Sequence, residues 1–139
     1  MNTIVVGIDG SPVSVTALRY AIREAQLRDA RVKAVTAWHV PTAAYGAGLT
    51  PAAPYTSDYE QAAEDLLAQS LAEVDPGGVP VEALVREGDS AHVLIEEAQD
   101  AEQLVVGCHD RSLVGRLLHH SVSGECAHAA RCPVTVVRG

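Results

Sequence analysis

Apolar residues along the chain fall into short continuous runs that alternate with longer stretches of mixed apolar and polar residues. The continuous runs are rich in valine and other β-branched residues, which is typical of strands buried on both faces of a sheet. Five such runs occur, at residues 3–9, 32–40, 79–87, 102–107 and 133–137. The pattern therefore predicts five strands.

The stretches between the runs have the spacing of amphipathic helices, with apolar positions three and four residues apart. Four helices are predicted, at residues 12–29, 57–75, 90–99 and 121–130. A serine stands at or just before each start, where its hydroxyl can accept hydrogen bonds from the free amides of the first turn. The second start, Ser57 to Glu60, has the form of a capping box.

Strands that alternate with helices are joined by right-handed crossovers, which make the strands parallel and place helices on both faces. At 139 residues the chain has the size of one domain. We therefore expect a single-domain, three-layer α/β/α fold over residues 1–139, with a five-stranded, mainly parallel sheet of the Rossmann or flavodoxin-like kind. Ligands bind such sheets beyond the carboxyl ends of the strands, where the winding direction reverses. If it reverses between the first and fourth strands, Asp9 and Gly107 flank one crevice.

Composition disfavours several classes of protein. The net charge of −8 works against binding to nucleic acid or to anionic membranes. No apolar run reaches the roughly 20 residues of a membrane span, and the first residues lack the pattern of a secretory signal. Three cysteines, Cys108, Cys126 and Cys132, cannot all pair within the chain and fit a reducing compartment. We expect a cytoplasmic protein with free thiols and with no nucleic-acid or membrane partner.

The charge is unevenly distributed along the chain. Residues 108–139 hold four arginines against only Asp110 and Glu125, so this segment is locally basic. It also holds four of the six histidines. A histidine can gain a proton beside a bound anion. The last part of the chain is therefore a candidate anion site.

Three segments of the chain resemble the universal stress protein family. They are VVGIDGS near the start, AWHVP after the second strand, and VVGCHDRSLVGRLLHHSVSGECAHAARCPVTVVR near the end. That family has a signature, G-x-x-G-x9-G-[ST], whose glycines let backbone amides surround the ribose and phosphates of a nucleotide. The resemblance covers essentially the whole chain. It implies a fold like that of the adenine nucleotide alpha hydrolases, an adenine-nucleotide crevice and a homodimer.

The resemblance also implies a binding site. Asp9 would contact the adenine–ribose end of ATP or another adenine nucleotide, and the backbone of Val40 would pair with the adenine edge. Val106 and His109 would line the ribose, and two serines would face the phosphates from a helix N-terminus, where anions are favoured. The implied binding residues are Ile8, Asp9, Val40, Val106, Gly107, His109, Asp110, His120, Ser121, Val122 and Ser123.

Two positions depart from the family's signature. Asp110 stands where the second glycine is expected, and His120 stands where the third is expected. The Asp110 side chain would block close approach of the backbone and bring negative charge near the phosphates. His120, Arg111 and Arg116 could partly offset this by donating to phosphate oxygens. We expect the nucleotide to be bound weakly.

Other functions remain open on the residues alone. An enzyme could use the Asp, His and Ser near the crevice, but there is no G-x-S-x-G elbow and no G-x4-G-K-[ST] loop, so at most slow ATP hydrolysis is expected. A metal site could use the cysteines and histidines near the end, although their spacing is unfavourable. A dimeric interaction module that binds no nucleotide is the third alternative.

The last predicted strand suggests how two copies would associate. Val134 to Val137 should form a sheet edge, and such an edge can pair with its own copy across a two-fold axis. Residues 41–56 are longer than an ordinary strand-to-helix connection and could close over the crevice. We expect a homodimer with a regulatory or protective role.

Overall fold

The computed structural model describes residues 2–40, 53–109 and 121–139. Within these residues, strands and helices alternate as the apolar pattern predicts. In chain order they are β1 (Thr3–Gly7), α1 (Pro12–Arg28), β2 (Arg31–Trp38), α2 (Ala53–Ala72), β3 (Val81–Glu87), α3 (Ser90–Glu97), β4 (Gln103–Cys108), α4 (Val122–Ala129) and β5 (Val134–Arg138).

The five strands form one parallel sheet in the order β3-β2-β1-β4-β5. β1 is central. It pairs on one side with β2, where Val5 lies opposite Lys33, and on the other side with β4, where Val5 lies opposite Leu104. The chain winds from β1 towards β3 and then crosses back to β4 and β5. The expected α/β fold is confirmed, and the winding reverses between β1 and β4, which is the condition for Asp9 and Gly107 to flank one crevice.

Apolar side chains fill both faces of the sheet. On one face, Ile4 and Val6 of β1 pack with residues of α1 and α2, including Leu18 and Leu67. On the other face, Val5 of β1 packs with residues of β2 and β4 and with residues of α3 and α4. The strand residues include Val35, Leu104 and Val106, and the helix residues include Val93, Leu94 and Cys126. The core is therefore built from small and branched aliphatic side chains, since the sequence contains no phenylalanine.

Two of the predicted helix caps are wrong. α2 begins at Ala53, so Ser57 lies inside the helix and does not cap it. Pro54 is accommodated there because a proline in the first turn lacks only an N–H that would have no helical partner. α3 is capped by Asp89, whose carboxylate accepts from the His92 N–H at 3.1 Å, and Ser90 is the first helical residue. The predicted lid, residues 41–56, lies mostly outside the described residues, and its last residues belong to α2.

The other two caps are as predicted. The Ser11 hydroxyl accepts from the Ser14 N–H at 3.2 Å at the start of α1, and Ser121 caps α4. α1 ends at Arg28, and its C-cap residue Asp29 adopts the left-handed conformation with φ of 53°. Strand ends differ from the predictions by at most two residues, and the earlier end of β1 leaves Ile8 and Asp9 in the turn that follows it.

The outer faces of the helices are polar. α2, the longest helix, exposes Asp58, Glu60, Glu64 and Asp65. Among the helices of the described residues, none is both long enough and apolar enough to span a membrane.

Candidate functional site

A cavity of about 280 Å³ lies at the carboxyl ends of β1, β2 and β4. Part of its wall is apolar, formed by Val35, Ala37, Leu94 and Val106. The remaining wall carries the predicted polar residues of the β1 and β4 ends, among them Asp9 and His109. The cavity therefore occupies the place where a doubly wound sheet binds ligands.

Three helices begin at this cavity. Its wall includes Ser11 and Ser14 from the start of α1, Ser90 from the start of α3, and residues 121–123 from the start of α4. A helix N-terminus carries partial positive charge and amides without helical partners, and both favour anions. α1 and α4 are capped by neutral serines, whereas α3 is capped by a carboxylate. The Asp9 carboxylate already accepts from the Ser11 N–H at the start of α1, so the start of α4 is the side of the cavity better suited to an anion.

At the start of α4, two serine side chains lie together. The Ser121 hydroxyl accepts from the Gly124 N–H at 3.0 Å, and its oxygen lies 3.4 Å from that of Ser123. Ser123 is buried, whereas Val122 between them is partly exposed. The N-cap geometry of Ser121 explains the arrangement, because its extended backbone turns the chain into the helix at the cavity wall.

Asp9 is the charged group that β1 contributes. Its Oδ1 accepts hydrogen bonds from the N–H and the hydroxyl of Ser11, and its Oδ2 lies 3.1 Å from the His109 Nε2. Partial burial raises the pKa of the Asp9 carboxyl, but the hydrogen bonds from Ser11 and His109 outweigh this, and the pKa lies below its ordinary value. Asp9 is therefore a carboxylate at neutral pH and can act only as an acceptor.

Hydrogen bonds to β2 hold the turn after β1 in place. The Ile8 N–H donates to the Val35 carbonyl at 2.9 Å, and the buried Thr36 hydroxyl donates to the Ile8 carbonyl at 2.9 Å. Ile8 itself is buried. Both backbone groups of the residue before Asp9 are thus satisfied inside the protein, which fixes the direction in which Asp9 leaves the sheet.

Gly107 has a structural reason to be glycine. A Cβ there would lie 3.1 Å from the Val13 Cγ1 and 3.2 Å from the Val13 carbonyl carbon and oxygen. Contacts this short to a backbone cannot be relieved by turning a side chain. Gly107 thus lets the start of α1 approach the end of β4, a constraint that the signature alone did not reveal.

The structure brings most of the predicted site residues together. Those on the cavity wall are Ile8, Asp9, Val106, Gly107, His109, Ser121, Val122 and Ser123. Val40 lies after the end of β2 and is not among the lining residues. Asp110 and His120, like Arg111 and Arg116, lie outside the described residues.

Sequence reasoning missed several lining residues. Val35 and Ala37 alternate along β2, so they point to the same face of the sheet, and that alternation was visible in the sequence. Ser90 and Leu94 come from α3, whose start reaches the cavity only because of how the helix packs on the sheet. Cys108 also lines the cavity.

Cys126 and Cys132 form no disulfide within the described part of the chain. Burial raises the pKa of the Cys126 thiol to about 11, and burial also raises the pKa of Cys132. A thiol with a raised pKa is a poor nucleophile and metal ligand near neutral pH. Within residues 2–40, 53–109 and 121–139, no three His, Cys, Asp or Glu side chains are placed to hold a metal ion.

Comparison with known proteins gives the family. The model of the Universal stress protein family matches residues 1–138. The chain belongs to the universal stress protein family. A universal stress protein of Mycobacterium bovis is 39% identical over 138 residues, which is 97% of this chain and 45% of that protein. The chain thus spans about half the length of the curated relatives it matches.

Solved universal stress proteins have the same fold. One, in complex with cAMP, is 25% identical with a TM-score of 0.75, and the match covers 98% of this chain and 96% of that one. Another, from Archaeoglobus fulgidus in complex with dAMP, is 21% identical with a TM-score of 0.72, covering 99% and 98% of the two chains. At that lower identity the likeness concerns the fold.

Proposed function

We propose that this universal stress protein binds an adenine nucleotide in the cavity between β1 and β4 and acts as a regulatory or protective protein. The observation that carries the proposal is the cavity itself. Its wall contains an apolar part, the Asp9 carboxylate, and the serine-capped starts of α1 and α4. An apolar wall suits a base, a carboxylate suits ribose hydroxyls or an amino group, and helix N-termini suit phosphate.

The described part of the cavity suits a mononucleotide. Its volume of about 280 Å³ lies at the lower end of ligand pockets. We place the base and ribose beside Asp9 and Val106, with the phosphate towards Ser121 and Ser123. A similar solved protein is in complex with cAMP, which supports a monophosphate as the first ligand to test. Binding of ATP is part of the proposal, and it would be weakened by Asp110.

The proposed role is binding and not rapid catalysis. His109 pairs with Asp9, but a histidine–carboxylate pair needs an activated nucleophile to form a triad. At most slow ATP hydrolysis is proposed. Residues 1–139 would act as one domain, and a cytoplasmic location is part of the proposal because three cysteines cannot all pair within the chain.

A homodimer through β5 is the second part of the proposal. β5 lies at one edge of the sheet, and Val136 is 40% exposed there. β3 lies at the other edge and carries Glu82, Arg86 and Glu87, charges of the kind that protect an edge from pairing. Of the two edges, β5 is therefore better suited to pair with a second copy.

Calorimetry with AMP, cAMP and ATP tests the nucleotide site. Asp9→Ala and Ser123→Ala should each weaken AMP binding about tenfold or more, because each removes a polar group from the cavity. Asp58→Ala, on the exposed face of α2, is the matched control and should leave the affinity unchanged.

A wild-type protein that gives neither heat nor a thermal shift with millimolar AMP, cAMP or ATP would contradict the nucleotide proposal. If that protein still eluted as a dimer, the alternative function would stand: an interaction module that binds no nucleotide. The exposed β5 edge is the observation that favours this alternative.

A further inference from the structure

Asp9 and His109 meet across the cavity although they lie 100 residues apart in the chain. Asp9 follows β1 and His109 follows β4, so the pair bridges the two sides of the crevice. The His109 Nε2 and the Asp9 Oδ2 are 3.1 Å apart, and the side chains are 59% and 60% exposed. The contact is therefore accessible both to solvent and to a molecule that enters the cavity.

Three of the roughly four acceptor positions of the Asp9 carboxylate are in use. Its Oδ1 accepts two hydrogen bonds from Ser11, which are part of the turn into α1. Its Oδ2 is the oxygen that faces His109. A ligand hydroxyl or amino group that donates to Asp9 would have to approach Oδ2, beside which the His109 ring already lies, because both Oδ1 contacts belong to the turn.

We propose that His109 occupies Asp9 in the unliganded protein and that a nucleoside displaces it on binding. His109 is then a competitor of the ligand and not one of its contacts. This inference rests on the proposed nucleotide function, since it concerns which group contacts Asp9 in the same cavity when no ligand is present.

Displacement makes the affinity depend on pH. Histidine changes its charge between pH 5 and pH 8. A protonated ring donates a charge-assisted hydrogen bond to the Asp9 carboxylate, which is stronger than the bond from a neutral ring. Breaking the pair therefore costs more at low pH, and the affinity for an uncharged nucleoside should fall as the pH falls. Because the His109–Asp9 pair is half exposed, its protonation should change the affinity for the nucleoside only about threefold between low and high pH.

Other charged groups lie on the elements around His109. Of the described residues, these are Arg138 at the end of β5, Asp89 at the cap of α3 and Glu125 in the first turn of α4. The Asp9→Asn variant separates the effect of these groups on the pH dependence of binding from the effect of the Asp9–His109 pair. It removes only the Asp9 charge and leaves every other ionisable group in place.

The test is calorimetry with adenosine between pH 5.5 and pH 8. Adenosine carries no phosphate that could titrate or attract His109. We expect wild-type protein to bind it about threefold more weakly at pH 5.5 than at pH 8. His109→Phe keeps a ring but cannot hold Asp9, and His109→Ala removes the ring. Both should bind at pH 5.5 at least as tightly as wild type does at pH 8, with no pH dependence.

His92→Phe is the matched control. His92 lies 3.4 Å from Glu96 on the exposed face of α3, so it forms a similar pair away from the cavity wall. Its replacement should leave the pH dependence of wild type intact. Asp9→Asn should bind adenosine weakly, and with the same affinity at both pH values.

Two unfavourable results have different meanings. If both His109 variants bind adenosine more weakly than wild type at every pH, His109 is a ligand contact and the displacement proposal is wrong. It is equally wrong if wild type binds with no pH dependence. If neither adenosine nor AMP binds to wild type or to any variant, the nucleotide function fails and this inference fails with it.

Discussion

At the residue scale, Glu97 joins the sheet to a helix. It is the last residue of α3, and its Oε1 accepts from Lys33 of β2 at 3.2 Å while its Oε2 accepts from Arg86 of β3 at 2.8 Å. Partial burial raises the pKa of Glu97, but the hydrogen bonds from Arg86 and Lys33 outweigh it, so the pKa lies below its ordinary value. The carboxylate thus stabilises the folded state when it is ionised.

Glu97→Gln should lower the free energy of unfolding by about 1 kcal/mol at pH 7. A carboxyl whose pKa is lower in the folded state contributes stability above its ordinary pKa and loses it as the pH falls through the folded value. The difference between wild type and variant should therefore shrink as the pH falls below the ordinary value of 4.5. Urea unfolding at several pH values measures it.

Glu96→Gln is the control for that substitution. Glu96 lies 3.7 Å from the Arg86 Nη2, and its side chain is 43% exposed, so its loss should have a much smaller effect. Equal effects of the two substitutions, or a Glu97→Gln difference that does not change with pH, would show that the lowered pKa is not the source of the stability.

Single residues show both what the sequence could predict and what it could not. Asp9 and Gly107 could be placed at one crevice on the condition that the winding reverses between the first and fourth strands, and the strand order meets that condition. The pairing of Asp9 with His109 could not follow, because it depends on side-chain directions after the strands end. Val13 as the neighbour of Gly107 also depends on how closely a helix approaches a strand.

At the scale of elements, the strands and helices were predictable because the spacing of apolar residues is a local property of the sequence. The start of α2 was not, since the Ser57 to Glu60 pattern matches a cap but lies inside the helix. The position of α3 on the cavity wall depends on packing against the sheet, which no local pattern encodes.

Because α1 lies close to β4 at Gly107, we expect a substitution there to reduce both stability and nucleotide binding. Gly107→Ala should lower the free energy of unfolding by about 2 kcal/mol, because its Cβ meets the backbone of Val13. It should also weaken AMP binding, since displacement of the start of α1 moves Ser11 and, with it, Asp9. Urea unfolding and calorimetry measure the two effects.

Gly78→Ala distinguishes the two effects of the Gly107 substitution. Gly78 has a φ of 85° and no atom within 4 Å of a built Cβ, so alanine there costs stability through backbone strain alone. We expect it to destabilise the protein and to leave AMP affinity unchanged. Unchanged affinity in Gly107→Ala would mean that α1 does not position the site.

At the scale of the whole molecule, the sheet has two unlike edges. β3 carries three charged side chains, whereas β5 carries one, Arg138, at its end. A charge in the middle of β5 should therefore prevent association. Val136→Lys is expected to convert a dimer into a monomer, measured by light scattering during size-exclusion chromatography.

The matched variant for the edge experiment is Ala83→Lys. Ala83 is exposed on β3, so a lysine there places the same charge on the opposite edge. The dimer should persist in this variant. A dimer that survives Val136→Lys, or a wild-type protein that is monomeric, would refute association through β5.

The central position of β1 also affects how the protein is made. Its partner β4 supplies His109, which is synthesised 100 residues after Asp9. At roughly 10 residues per second, about ten seconds pass between the synthesis of β1 and the synthesis of its partner β4. A nucleotide that binds between the two strands can therefore stabilise only the finished chain, while the growing chain exposes an unpaired strand that a chaperone would have to protect.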